Sequence, residues 1–94
     1  MKTIDVNALS WWDKTYGNSY FAGTITIDYG MPTEKQFKIP FQYGSNGMHT
    51  QVACKIINKE FGTNYSSLWH CKDDGIILRT SWKENCLKRE LKNI

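Results

Sequence analysis

The two histidines and three cysteines are the side chains whose donor atoms could do metal or thiol chemistry: His49, Cys54, His70, Cys71 and Cys86. A structural zinc site needs four convergent ligands, which usually arrive as closely spaced pairs. This chain has no Cys-x-x-Cys pair and no histidine four residues from another ligand. His49 and Cys54 are five apart, which turns them to different sides of a helix. His70 and Cys71 are adjacent, so on a strand they face opposite ways. A nucleophilic cysteine needs a neighbouring base, and such dyads form in space rather than in sequence, but nothing in the sequence marks any of these thiols as activated. There is no Gly-x-Ser-x-Gly elbow, no phosphate loop and no Gly-x-Gly-x-x-Gly. Gly44 and Gly47 frame a loop before a helix, where an anion could sit, but that loop has no lysine. Asp73-Asp74 belongs to a turn. The expectation is a chain that is not an enzyme, with no metal site and no cofactor.

Binding chemistry is better represented. Trp11, Trp12, Tyr16 and Tyr20 crowd into ten residues around Gly17-Asn18, with Asp13 and Lys14 between them. A short loop cannot hide so many large rings, and partly exposed Trp and Tyr are common interface anchors. The expectation is that one tryptophan is core and the other available. Trp12, Lys14, Tyr16, Asn18 and Tyr20 are the candidate binding residues, with Trp12 as the anchor. The polar helix face of Gln51, Lys55 and Lys59 is the next candidate surface. Aromatics interleaved with lysine can also stack bases and neutralise phosphates. A nucleic-acid-binding module is therefore the alternative reading. The net charge is only +3, from 12 basic and 9 acidic residues, and the basic run Lys88-Arg89 is broken by Glu90. Dedicated nucleic-acid binders are usually more basic than this.

The elements that must position these residues follow from composition and periodicity. A chain of 94 residues fits one domain, residues 1 to 94, and 40% hydrophobic residues suffice for a thin core. The odd cysteine count argues against a disulfide framework and for reduced, buried thiols in the cytoplasm. No apolar run approaches the roughly 20 residues of a membrane span.

Lys2 to Val6 alternates as a short strand, and Leu9, Trp12 and Tyr16 fall at a spacing that allows one or two helical turns. Ser19 to Tyr29 alternates cleanly, as does Gln36 to Tyr43, and Gly30-Met31-Pro32-Thr33 joins them into a hairpin. Pro40 has no amide donor, which places its strand at an edge or beside a bulge. A helix then runs to about Phe61, with Val52, Ala53, Ile56, Ile57 and Phe61 as its apolar stripe, Asn46 or Thr50 as N-cap and Gly62 as C-cap. Tyr65 to Cys71 and Ile76 to Trp82 read as a second hairpin about Asp74-Gly75. Leu87, Leu91 and Ile94 mark a short C-terminal helix or a frayed tail. The expected fold is α+β. A four-stranded antiparallel sheet of two hairpins is covered on one face by a single amphipathic helix, with short helical segments toward the termini. Ile25, Ile27, Phe37, Ile39, Phe41, Val52, Ile56 and Ile57 are expected to share its core.

The stretch Ser10-Trp11-Trp12-Asp13-Lys14-Thr15-Tyr16-Gly17-Asn18-Ser19-Tyr20-Phe21 resembles a motif in small phage and prophage proteins, in which a Trp-aromatic-Asp-Lys loop leads through Gly-Asn-Thr-Tyr into a strand. Pro40-Phe41-Gln42-Tyr43-Gly44 is similar to a second block of the same proteins, just before their helix. The likeness covers about half the chain, mainly residues 9 to 61. Ser19 stands where those proteins usually have threonine, and Phe21 where they have histidine. The group carries no activity to transfer. The resemblance implies a phage setting, the host cytoplasm, and an accessory protein that binds a host protein or ribonucleoprotein complex and blocks it. Anti-CRISPR and other anti-defence inhibitors are the best-known class of this kind.

Overall fold

A computed structural model describes residues 1–94. Four strands make one sheet: β1 (Thr3–Asp13), β2 (Asn18–Ile27), β3 (Lys35–Tyr43) and β4 (Ile77–Lys83). Helix α1 (Met48–Phe61) and a 3₁₀ helix (Leu68–Asp74) lie between β3 and β4, and a short helix α2 (Lys88–Lys92) follows β4. The spatial order is β3-β2-β1-β4. β1–β2 and β2–β3 are antiparallel, but β4 runs parallel to β1. The sheet is therefore mixed, not a pair of antiparallel hairpins. After β3 the chain crosses the sheet through α1 and the 3₁₀ helix and enters beside β1 in the same direction, as a crossover between parallel strands requires.

The reason is local. Tyr65 to Cys71 is not a strand. Leu68 and Cys71 are three apart, and on a helix of three residues per turn they stack on one side. Both are buried. Gly75, at φ +75°, then ends that helix, its amide donating to the carbonyls of Cys71 and Lys72. The Asp-Gly pair thus serves a helix end rather than a hairpin turn.

β1 is likewise longer than alternation over residues 2–6 suggested, and it replaces the helical turns expected at Leu9 to Tyr16. Ile4, Val6, Ala8 and Ser10 are buried on one face of the sheet. Leu9 and Trp11, on the other face, pack against Ala22, Cys86 and Leu91. A strand covered on both faces reads as continuously apolar and loses its period of two. At Gly23 a Cβ atom would lie 2.2 Å from the Asn7 carbonyl oxygen, so glycine is what lets β1 and β2 close at that point.

The main core joins Ile4, Val6, Phe21, Ile25, Ile27 and Ile39 of the sheet to Ala53, Cys54 and Ile57 of α1 and to Leu68 and Cys71 of the 3₁₀ helix. Within α1 the buried residues are His49, Ala53, Cys54 and Ile57, while Val52, Ile56 and Phe61 of the expected stripe are half-buried and pack against the same core. Phe41 leaves this core altogether. A register shift between Phe21 and Gly23, opposite Pro40, turns Phe41 to the other face, where it stacks on Tyr20. Neither Asn46 nor Thr50 caps α1. Gly47 takes that position at φ +100°, and the Thr50 hydroxyl instead donates back to its carbonyl.

Two sets of polar contacts fasten the sheet away from the β1–β2 turn. On the open part of the second face, Arg79 of β4 pairs with Asp5 of β1 through two bonds of 2.6 and 2.9 Å. The Ser81 hydroxyl donates to Asn7 Oδ1 at 2.6 Å. These contacts join register partners and hold the parallel alignment. Exposed pairs of this sort add little net stability. Asp28 does more. Its carboxylate is buried and accepts the Lys2 amide at 2.5 Å, the Thr33 hydroxyl at 2.8 Å and the Thr3 amide at 3.1 Å. Those donors favour the charged form and hold its pKa at about 2. The folded value lies below the ordinary carboxylate value of about 4. Stabilisation by Asp28 is therefore complete above pH about 4 and is lost as pH falls toward about 2. Asp28→Asn is expected to lower the melting temperature at pH 7 and to flatten the loss of stability between those two pH values. Melting curves of both proteins across the acid range check this.

Candidate contact surface at the hairpin tip

An 11-residue strand spans about 36 Å, close to the 43 Å longest dimension of the molecule, so β1 and β2 run along the long axis. Their connecting turn is therefore at one end. β4 stops at the level of Leu9, and β3 at the level of Tyr20. Beyond those levels the β1–β2 hairpin has no strand on either side. Asp13 builds its turn. The Asp13 carboxylate accepts the amides of Thr15 and Tyr16, and its carbonyl accepts the amide of Gly17, which sits at φ +66°. An aspartate that ties its own backbone two residues on is a standard turn device. It leaves Lys14 and Tyr16 displayed on an ordered loop.

The two tryptophans separate because neighbours in a strand face opposite sides. Trp11 packs in the smaller core. Trp12 is 52% exposed. It forms a wall shared by two shallow clefts. One, of about 310 Å³, also involves Ser45, Asn46, Trp82 and Asn85. The other, of about 320 Å³, adds Lys14, Cys86 and Leu87. The Trp82 indole N–H, on the first cleft, is buried with no acceptor. Tyr16 is 78% exposed at the turn.

Asn18 is half-buried at the start of β2, opposite Asp13. Tyr20 is also half-buried, with ring centroids 5.6 Å from Trp11 and 5.3 Å from Phe41, and acts as scaffold for the tip. Trp12, Lys14 and Tyr16 thus share one accessible end, while Tyr20 supports it from below.

That end holds residues that the linear motif did not suggest. Tyr43 packs edge-on against Tyr20 and is 63% exposed, and Leu87 is 52% exposed. Tyr43 could have been found from the block that ends at Gly44. Leu87 and Asn85 lie some seventy residues from the hairpin in sequence and reach it only through the parallel placement of β4.

The thiols and histidines are placed elsewhere. No three His, Cys, Asp or Glu side chains converge as metal ligands. All three cysteines are buried and free. Burial pushes the Cys54 and Cys71 thiols up from their ordinary values, which keeps them neutral. His49 is buried against Trp82, 4.9 Å between ring centroids, and burial pushes its pKa down. His70 is exposed and meets the Ser66 hydroxyl at 3.2 Å.

The second candidate surface is also a cleft. Gln51 and Lys55 line about 470 Å³ beside Asn58, Tyr65 and Ser66. Asn58 is partly buried there and donates to the Tyr65 carbonyl while accepting the Tyr65 amide and the Thr63 hydroxyl. That side chain belongs to the loop's construction. No helix is long and apolar enough to cross a membrane. No protein-family model, curated protein or solved structure matches the chain.

Proposed function

We propose that this chain is a phage-type accessory protein that binds a host protein or ribonucleoprotein complex through the β1–β2 hairpin tip and inhibits it by occupancy, in the manner of an anti-defence or anti-CRISPR inhibitor. The observation that carries the proposal is Trp12. A tryptophan half exposed on an ordered hairpin tip that also displays an exposed tyrosine, and lining two clefts, is the anatomy of a binding anchor. The turn is fixed by Asp13, so little ordering is left to offset the gain on binding. The phage setting rests on the resemblance of the Ser10 to Phe21 motif.

A direct nucleic-acid role is the second reading, because Lys14 and the lysines of α2 lie near aromatic rings. Two of those lysines occupy the rings themselves. Lys88 Nζ is 5.2 Å from the Trp11 ring centroid, and Lys92 Nζ is 5.8 Å from that of Phe41. A base would have to displace them to stack. Capture from bacterial lysate, with and without nuclease, separates the readings. A protein partner retained after nuclease treatment supports occupancy of a host protein. A partner that disappears with nuclease favours the nucleic-acid reading.

A further inference from the structure

The sheet has two open edges, and they are unlike. β3 carries Lys35, Lys38 and Pro40, together with the register shift against Phe21 and Gly23. Both edges carry two charges, but proline and bulge, which also block edge-to-edge pairing, occur only on β3. β4 has no proline and no register shift over its seven residues, and its Arg79 is tied back to Asp5. Its backbone faces are set by the amide of Ile77, which donates to Lys2 of the adjoining strand segment at 3.0 Å. With a period of two, Ile77, Arg79 and Ser81 turn their amides and carbonyls toward β1. Leu78, Thr80 and Trp82 turn theirs outward, where no strand pairs with them.

We infer that a second copy of this chain pairs with β4 along this edge, antiparallel about a two-fold axis at Thr80, so that the two sheets become one. The sequence of β4 is self-complementary in that register. Thr80 faces the partner's Thr80, and Leu78 faces the partner's Trp82. Each pair has its amide and carbonyl directed across the junction, which supplies about six main-chain hydrogen bonds. Thr–Thr and aliphatic–aromatic pairs are favourable cross-strand neighbours. On the other face Arg79 meets the partner's Ser81, and Ile77 meets the partner's Lys83, so no like charges oppose each other.

Neighbouring registers fail on charge. A two-fold at Arg79 sets two guanidinium groups opposite one another, and one at Ser81 sets Arg79 against the partner's Lys83. Like charges directly opposed destabilise a strand pair. Because β4 runs parallel to β1, the two hairpin tips of such a dimer point in opposite directions. The dimer presents two tips, and the partner's Leu78 lies beside Trp82, which lines the cleft next to Trp12.

Sedimentation of the full chain over a range of concentrations tests this. Wild type is expected to show a concentration-dependent dimer. Thr80→Pro removes an outward amide, costs no bond within the chain and is expected to be monomeric with a melting temperature near that of wild type. Ser81→Glu and Ser81→Lys both lose the bond to Asn7 but place opposite charges against the partner's Arg79. The glutamate variant should dimerise about tenfold more tightly than the lysine variant. A wild type that stays monomeric throughout overturns the inference. So do equal dimer affinities for the two Ser81 variants, which would put any association on another surface.

Discussion

Phe21→Ala lowers the free energy of unfolding by about 3–5 kcal/mol, a large share of what a domain of this size has to spare. Phe21 is fully buried at the junction of three parts of the fold. It lies opposite Ser10 of β1, its ring centroid is 5.7 Å from that of Trp82 of β4, and it fills the space beneath Gly44. A Cβ atom at Gly44 would lie 2.5 Å from the Phe21 ring, so the loop before α1 is moulded on this side chain. Truncation leaves a cavity that none of these neighbours can close without moving a strand. Ile56→Ala provides the contrast. Ile56 is only half-buried, so its loss should cost clearly less than that of Ile57, which has no exposure. Chemical denaturation of the variants gives the order directly. A Phe21→Ala protein as stable as wild type would contradict the placement of this residue at the centre of the core.

The elements with a single buried face were legible in the sequence. β2 and β3 alternate because one side of that hairpin is buried for most of its length, and α1 shows a stripe because one side of it meets the sheet. Gly62, at φ +67°, ends α1 where a left-handed residue was expected. What misled was a side chain pattern shaped by a second layer. Leu9 and Trp11 are covered by α2, so the second half of β1 has apolar residues on both faces and imitates a helical spacing. The 3₁₀ helix was hidden for a different reason. A period of three, Leu68 to Cys71, lies between the periods of strand and helix, and in so short a segment it resembles neither. A strand over Tyr65 to Cys71 would require an antiparallel hairpin about Gly75, whereas the 3₁₀ helix lets β4 enter parallel to β1.

The candidate surface was legible to the extent that it is local. Trp12, Lys14 and Tyr16 come from one stretch of chain, and a two-residue period suffices to separate Trp12 from Trp11 once the stretch is known to be a strand. Tyr20 is their neighbour in sequence but not on the surface. Its ring instead lies between Trp11 and Phe41, and Phe41 reaches it only because of the register shift beside Pro40. Asn85 and Leu87 join the tip through tertiary structure alone.

Trp12→Ala and Tyr16→Ala are each expected to weaken partner binding roughly thirtyfold or more while leaving the fold intact. Truncation of a true anchor costs about 2 kcal/mol or more. The rings make little of the core: Trp12 is 52% exposed and Tyr16 78%. Their loss should therefore change the melting temperature little, which separates a binding defect from unfolding. Lys14→Ala should weaken binding by a smaller factor, because an exposed charge at an interface rim acts mainly on the rate of association. Lys55→Ala, in the cleft beside α1, serves as the control surface. The most direct test is the affinity of these variants for any protein captured from nuclease-treated bacterial lysate, with melting temperatures measured on the same samples. The expected result is wild-type melting with lost affinity for Trp12→Ala and Tyr16→Ala, and undiminished affinity for Lys55→Ala. Wild-type affinity in folded Trp12→Ala and Tyr16→Ala, with loss in Lys55→Ala, would contradict it and move the contact surface to the α1 cleft.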